Sequence, residues 1–207
     1  MVFGSFCYKE YHCYHTLQLK SIRITGIQKG FIQSLEIYQS IETKQDLNEV
    51  SYLFPTDNKI CIYSMQFQVG DEIIPAELRS ITQAKEIYDE ALKEGKTAVM
   101  TEPKASGINS IVIGNVPKGK IVSILFKCSF TSILDNQKTI LTKIPLESYD
   151  HYGDLIELYN TPSLEIDIDL TISHLSKISD VNVNFNYEYN KIDDYNGKLI
   201  GKCSNIT

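Results

Sequence analysis

Ser80-Ile-Thr-Gln-Ala-Lys-Glu-Ile-Tyr-Asp-Glu-Ala-Leu-Lys-Glu-Gly95 is the stretch on which the fold turns. Ser80 with Gln83 three residues later has the pattern of a capping box, Gly95 stands where a helix ends, and no proline intervenes. These signals predict one helix over about residues 81–94. Ala84, Ile87, Tyr88, Ala91 and Leu92 fall on one stripe of it, so the two alanines permit close approach to a sheet while Tyr88 fills the space between. On both sides of this helix the apolar residues recur with a period of two instead.

Before the helix, Leu17 to Ile24 and Phe31 to Ile41 read as strands joined across a turn at Gly26 to Gly30, and Gln33, Leu35, Ile37 and Gln39 share a face. Val50, Tyr52 and Phe54 alternate up to Pro55, and a longer run from Ile60 to Val69 meets Gly70-Asp71, a two-residue hairpin signal, with Glu72 to Leu78 returning. After it, Ile111 to Ile113 and Ile121 to Phe130 flank the turn residues Gly114, Asn115, Pro117 and Gly119. A further hairpin is predicted across Asp135 to Gln137 with Lys138 to Leu146 returning, then a long Tyr-rich connection from Glu147 to Asn160. Leu164, Ile166, Ile168, Leu170 and Ile172 then alternate strictly with polar residues, and Val181, Val183, Phe185, Tyr187 and Tyr189 repeat the pattern. About ten short alternating strands must each bury one face, which predicts a mainly β fold: an antiparallel two-sheet β-sandwich with one inserted α-helix.

A chain of 207 residues, 43% of them apolar, can bury a core of its own. It carries 20 basic and 26 acidic residues, net −6, with no run of Lys or Arg, which argues against nucleic acid and anionic membrane as partners. Five cysteines, Cys7, Cys13, Cys61, Cys128 and Cys203, are odd in number and scattered, so reduced thiols are expected rather than a disulfide framework. The first ten residues lack the basic lead and apolar stretch of a secretory signal, and no segment approaches membrane-spanning length, so a cytoplasmic location is expected. The glycosylation triplet Asn205-Ile-Thr207 has meaning only in a secreted context.

Candidate chemistry is thin, and each candidate has a plainer reading beside it. Glu94-Gly-Lys-Thr97 matches the end of a phosphate-binding loop, yet the position five residues before Gly95 holds Glu90 and the helix precedes the glycine instead of following it. Cys7, His12, Cys13 and His15 put four soft donors suited to zinc into nine residues, with no second ligand pair at finger or ribbon spacing. The plainer expectation is that these are solvated terminal side chains. Glu165, Asp167 and Asp169 share a strand face, but a straight strand cannot wrap a calcium ion. His151, beside Asp150, is where a general base of a hydrolase-like site could stand, without a nucleophile motif to serve it, and His174 is isolated.

The order of signals nevertheless has a specific counterpart. Tyr52-x-Phe54-Pro55, a strand, Val69-Gly-Asp71, then Ala84-x-x-x-Tyr88-x-x-Ala91-x-x-x-Gly95-Lys-Thr-Ala98, Glu102 and Ile113-Gly-Asn-Val-Pro-x-Gly119 follow one another at matching gaps. This set resembles the VIT domain, named for the vault protein and inter-alpha-trypsin inhibitor heavy chains. The resemblance implies a β-rich module that usually precedes a von Willebrand A-type domain, and whose activity is protein interaction. It divides the chain into an N-terminal extension (1–14), a VIT domain (15–146) and a connection with C-terminal strands packed on that domain (147–207). No A-type domain follows here, so a fragment or a reduced member is expected.

The function expected is therefore non-enzymatic, a protein-interaction or scaffold module with no cofactor, whose partner is an A-type domain or a large assembly. The alternatives are a small metal-binding protein using the Cys7, His12, Cys13, His15 cluster, and a hydrolase-like site at His151. The residues expected to recruit the partner, by strand addition at an exposed edge, are Leu164, Ile166, Ile168, Leu170 and Ile172, with Val181 to Tyr189 as a second edge.

Overall fold

The computed structural model describes residues 4–11, 13–55, 60–75, 81–103, 108–135, 139–141, 147–149, 155–157, 164–183 and 186–204. Two large sheets face each other. The first has five strands, in the order β2 (Cys13–Leu17), β1 (Ser5–Glu10), β5 (Leu47–Pro55), β9 (Ile108–Val116), β8 (Ala98–Pro103). The second has eight: β16 (Tyr187–Lys191), β17 (Asn196–Ser204), β15 (Glu165–Ser173), β3 (Leu19–Lys29), β4 (Ile32–Glu42), β10 (Ile121–Thr131), β6 (Ile60–Val69), β7 (Glu72–Pro75). Two small ribbons, β11 (Ile133–Asp135) with β12 (Thr139–Leu141) and β13 (Glu147–Tyr149) with β14 (Leu155–Glu157), form separate two-stranded sheets.

The main core is the space between the sheets, and period-two alternation fills it. Phe6, Val50, Tyr52, Ile111 and Ile113 enter from the five-stranded sheet. Ile22, Ile24, Leu35, Ile37, Phe67, Val122 and Ile124 enter from the eight-stranded one, each fully or almost fully buried. Val112 of β9 with Met100 and Ala98 of β8 face the other way and form a second, smaller core under helix α1 (Ile81–Lys93).

Helix α1 ends as its sequence predicts. Gly95 has φ +73°, its N–H donates to Leu92 O at 3.0 Å and the Lys96 N–H donates to Ala91 O at 2.9 Å, the paired closure that a left-handed residue permits. Asn115, also at positive φ, donates its side-chain amide to Lys96 O at 3.0 Å and Leu92 O at 3.3 Å, so a strand residue supplies the last turn with a further donor. Ala84, Tyr88, Ala91 and Leu92 pack on the second core, but Ile87, placed on the same stripe by periodicity, is exposed. One sheet covers one side of the helix only, and the stripe is wider than that contact. Ser80 of the expected capping box lies outside the described residues.

Gly114 belongs to β9 and not to the turn that the sequence suggested. A methyl group there would meet Leu92 Cδ2 at 2.3 Å and Tyr88 Oη at 2.8 Å, so the residue lets the helix come down onto the sheet. Gly114→Ala is expected to lift α1 and lower stability by about 1–3 kcal/mol, the usual penalty of overpacking. Urea denaturation measures it, and a midpoint equal to that of the parent would refute the close approach.

One further turn departs from expectation. Gly26 lies within β3 opposite Leu35, and the chain reverses instead at Gly30-Phe31, with Gly30 at φ +58°. The Gly70-Asp71 hairpin between β6 and β7 is present, with Val69 facing Glu72. At the opposite turn Thr43 joins two loops: its hydroxyl donates to Pro117 O at 2.8 Å, and its backbone N–H and C=O bond Lys120 O and Gly119 N.

The C-terminal strands join the eight-stranded sheet instead of forming a layer of their own. β15 pairs in parallel with β3, Ile166 beside Ile22 and Ile168 beside Ile24, and antiparallel with β17. Every other ladder described is antiparallel. Alternation reveals which face a strand buries but not the direction of its neighbour, so this pairing was invisible in the sequence. Val181 and Val183 pack on the core without strand pairing, and the paired segment is Tyr187–Lys191 against Asn196–Ser204. The expected continuous strand from Val181 to Tyr189 is thus not formed.

Candidate interaction surface

The N-terminal cluster does not assemble a metal site. Ser5–Glu10 is a strand hydrogen-bonded to β5, with Phe6 and Cys7 buried, so the expectation of solvated terminal side chains fails for Cys7. Cys7 opposes Thr16 while Cys13 opposes Glu10 and His15 opposes Tyr8. Because side chains alternate across a strand, Cys7 points to one face of the hairpin, and Cys13 and His15 to the other. The His15 ring stacks on Tyr8 at 5.1 Å, and His12 lies outside the described residues. Among the described residues no three His, Cys, Asp or Glu side chains gather as metal ligands. Among the described residues Cys7, Cys13, Cys61 and Cys128 are not joined in disulfides, and burial pushes the Cys128 thiol up to about 11, which keeps it protonated.

His151 lies outside the described residues. His174 accepts the Ser176 N–H on Nδ1 at 2.9 Å and meets the Phe31 ring edge-on at 6.1 Å, contacts that fix a loop. Asp169 and Asp167 reach across to Lys198 at 3.0 Å and Lys202 at 3.8 Å, so their face is a solvated row of ion pairs with little effect on stability.

The strand expected to recruit a partner is occupied on both sides. β15 lies between β17 and β3, and Leu164, Ile166, Ile168 and Leu170 are buried in the main core, with Ile172 packed against it. Strand addition through these residues is therefore ruled out by the ladder itself. Their apolar face, legible in the sequence, serves the fold.

Several exposed apolar residues lie elsewhere, on segments that meet at one end of the eight-stranded sheet. Lys29 pairs with Ile32, Ile32 with Thr131 and Lys29 with Ser173, so the β3–β4 turn, the end of β10 and the end of β15 lie in one row. Backbone bonds hold them there: Gly30 N–H to Ser173 O at 2.8 Å and Ser132 N–H to Phe31 O at 2.7 Å. Phe31, Ile32 (56% exposed), Ile133 (60%), Leu134 and Leu175 (96%) all project from this end, and Leu141 joins them across from Ile133. The β11–β12 ribbon carries apolar residues on both its faces, which a two-stranded ribbon cannot cover by itself. Two sequence signals mark the place: the adjacent pair Ile133-Leu134 breaks period two, and Leu175 is a lone apolar residue among polar neighbours.

The sequence pattern described as vault protein inter-alpha-trypsin domain matches residues 19–128, more than half of the chain. The chain belongs to this VIT family. Its relatives include von Willebrand factor A domain-containing protein 5A of Mus musculus, 27% identical over an alignment of 127 residues that covers 57% of this chain and 16% of that protein. Protein mono-ADP-ribosyltransferase PARP4 of Mus musculus is 22% identical over 123 residues, 59% of this chain and 6% of that protein. The match thus spans only a small part of each curated relative. Among solved structures, an M1 zinc metallopeptidase from Deinococcus radiodurans aligns over 90% of this chain and 39% of its own, at 10% identity and a TM-score of 0.44.

Within the VIT match, the motif residues quoted from the sequence prove to be structural. Tyr52 is buried between the sheets, Tyr88 and Ala91 dock the helix, and Gly114 and Asn115 receive it. The apolar end of the sheet lies partly beyond the match, since Ile133, Leu134, Leu141 and Leu175 follow residue 128. No helix among the described residues is long and apolar enough to cross a membrane.

Proposed function

We propose that this VIT-domain chain is a non-catalytic protein-interaction module, and that its partner docks on the apolar end formed by Phe31, Ile32, Ile133, Leu134, Leu141 and Leu175. The observation that carries this reading is that exposed apolar residues lie on segments that backbone bonds hold together at one sheet end, and exposed apolar groups gathered in one region mark partner contacts. The partner proposed is a von Willebrand A-type domain, the module named in relatives whose VIT segment forms only part of the chain. Described cysteines without disulfides suit a reducing compartment, so a cytoplasmic setting belongs to the same proposal.

Purified chain titrated with the isolated A-type domain of such a relative tests the proposal. Saturable binding is expected, and Ile133→Ser combined with Leu175→Asp is expected to weaken it at least tenfold, about 1.4 kcal/mol, with an unchanged melting temperature. An A-type domain that does not bind the parent chain would overturn the partner. Equal affinity in parent and variant would overturn the surface.

A further inference from the structure

We draw no further inference here: the strongest candidate, the outer edge of the N-terminal hairpin strand β2 at the end of the five-stranded sheet, whose Cys13–Leu17 carry no Asp, Glu, Lys, Arg or Pro to deter pairing, carries nothing because nothing in the structure shows which strand would cover it.

Discussion

A chain trimmed to the matched segment, residues 19–128, is expected not to fold, although the family pattern is confined to it. The trimmed parts supply Phe6, Leu164, Ile166, Ile168, Leu170 and Leu199 to the main core, none more than 4% exposed. Burial of each such side chain contributes about 1.5–3 kcal/mol, so the loss is on the order of 10 kcal/mol or more. That is comparable with the whole stability of an ordinary domain, about 5–15 kcal/mol. The cut also uncovers two ladders, because β5 loses β1 and β3 loses β15. Circular dichroism and amide-proton dispersion of 19–128 beside the full chain provide the measurement. A cooperative melt with dispersed resonances in the short chain would show that the flanking strands are accessory, and the view that residues 4–17 and 164–204 complete the sandwich would have to be abandoned.

Tyr52→Phe is expected to produce the second large effect. The Tyr52 hydroxyl accepts the Gly4 N–H at 3.1 Å and donates to Gln39 Oε1 at 2.5 Å, while Gln39 Nε2 donates back to Gly4 O at 3.4 Å. This closed ring of bonds ties β4 in one sheet to β5 in the other and to the residue that leads into β1. The Phe6 ring packs on Tyr52 at 4.8 Å. Removing the hydroxyl takes from two buried groups a partner that water does not replace, at about 1–3 kcal/mol each. The expected loss is about 2–6 kcal/mol, which for a chain of this size lowers the melting temperature by about 4–24 °C. Adding Gln39→Leu should cost less than the two single losses summed, since taking away both partners removes the unsatisfied acceptor. Strict additivity would show that the two side chains are not coupled.

The same tyrosine has a signature in alkali. Burial raises its pKa far above the usual value, and the Gly4 hydrogen bond opposes that rise only in part. The folded state therefore keeps the proton after an unfolded tyrosine has released it near pH 10, so the unfolded state binds fewer protons and stability falls as pH rises above about 10. The slope from this one group is about 1.4 kcal/mol per pH unit. The phenylalanine variant lacks that term, so the gap in stability between parent and variant is expected to narrow above pH 10. A constant gap from pH 8 to pH 11 would mean that water reaches the hydroxyl.

Much of the architecture was legible in the residues alone, because binary patterning reports burial locally. The helix from its caps and stripe, the Gly70-Asp71 hairpin, the long alternating faces of β4, β6, β10 and β15, and the family from its ordered motif all required only neighbours in sequence. What was missed depended on distant partners. The N-terminal strand was read as an extension because Ser5–Glu10 alternates too briefly to register, yet Phe6 enters the core and Gly4 is tied to Tyr52 and Gln39.

The apolar strand faces show the same division most sharply. Leu164 to Ile172 form the cleanest apolar face in the chain, and sequence alone determined that this face would be buried. Whether it would be buried inside the protein or against a partner was decided by the parallel pairing with β3 and the antiparallel pairing with β17, which close both of its edges. Conversely, Ile32, Ile133 and Leu175 are apolar residues without periodic meaning, separated by up to 143 positions (175 − 32). They come to one end of the sheet only because three strand ends are held side by side. A period measured along the chain records the environment of each strand, whereas the choice of its neighbours is a long-range matter of register and direction that only the folded structure settles.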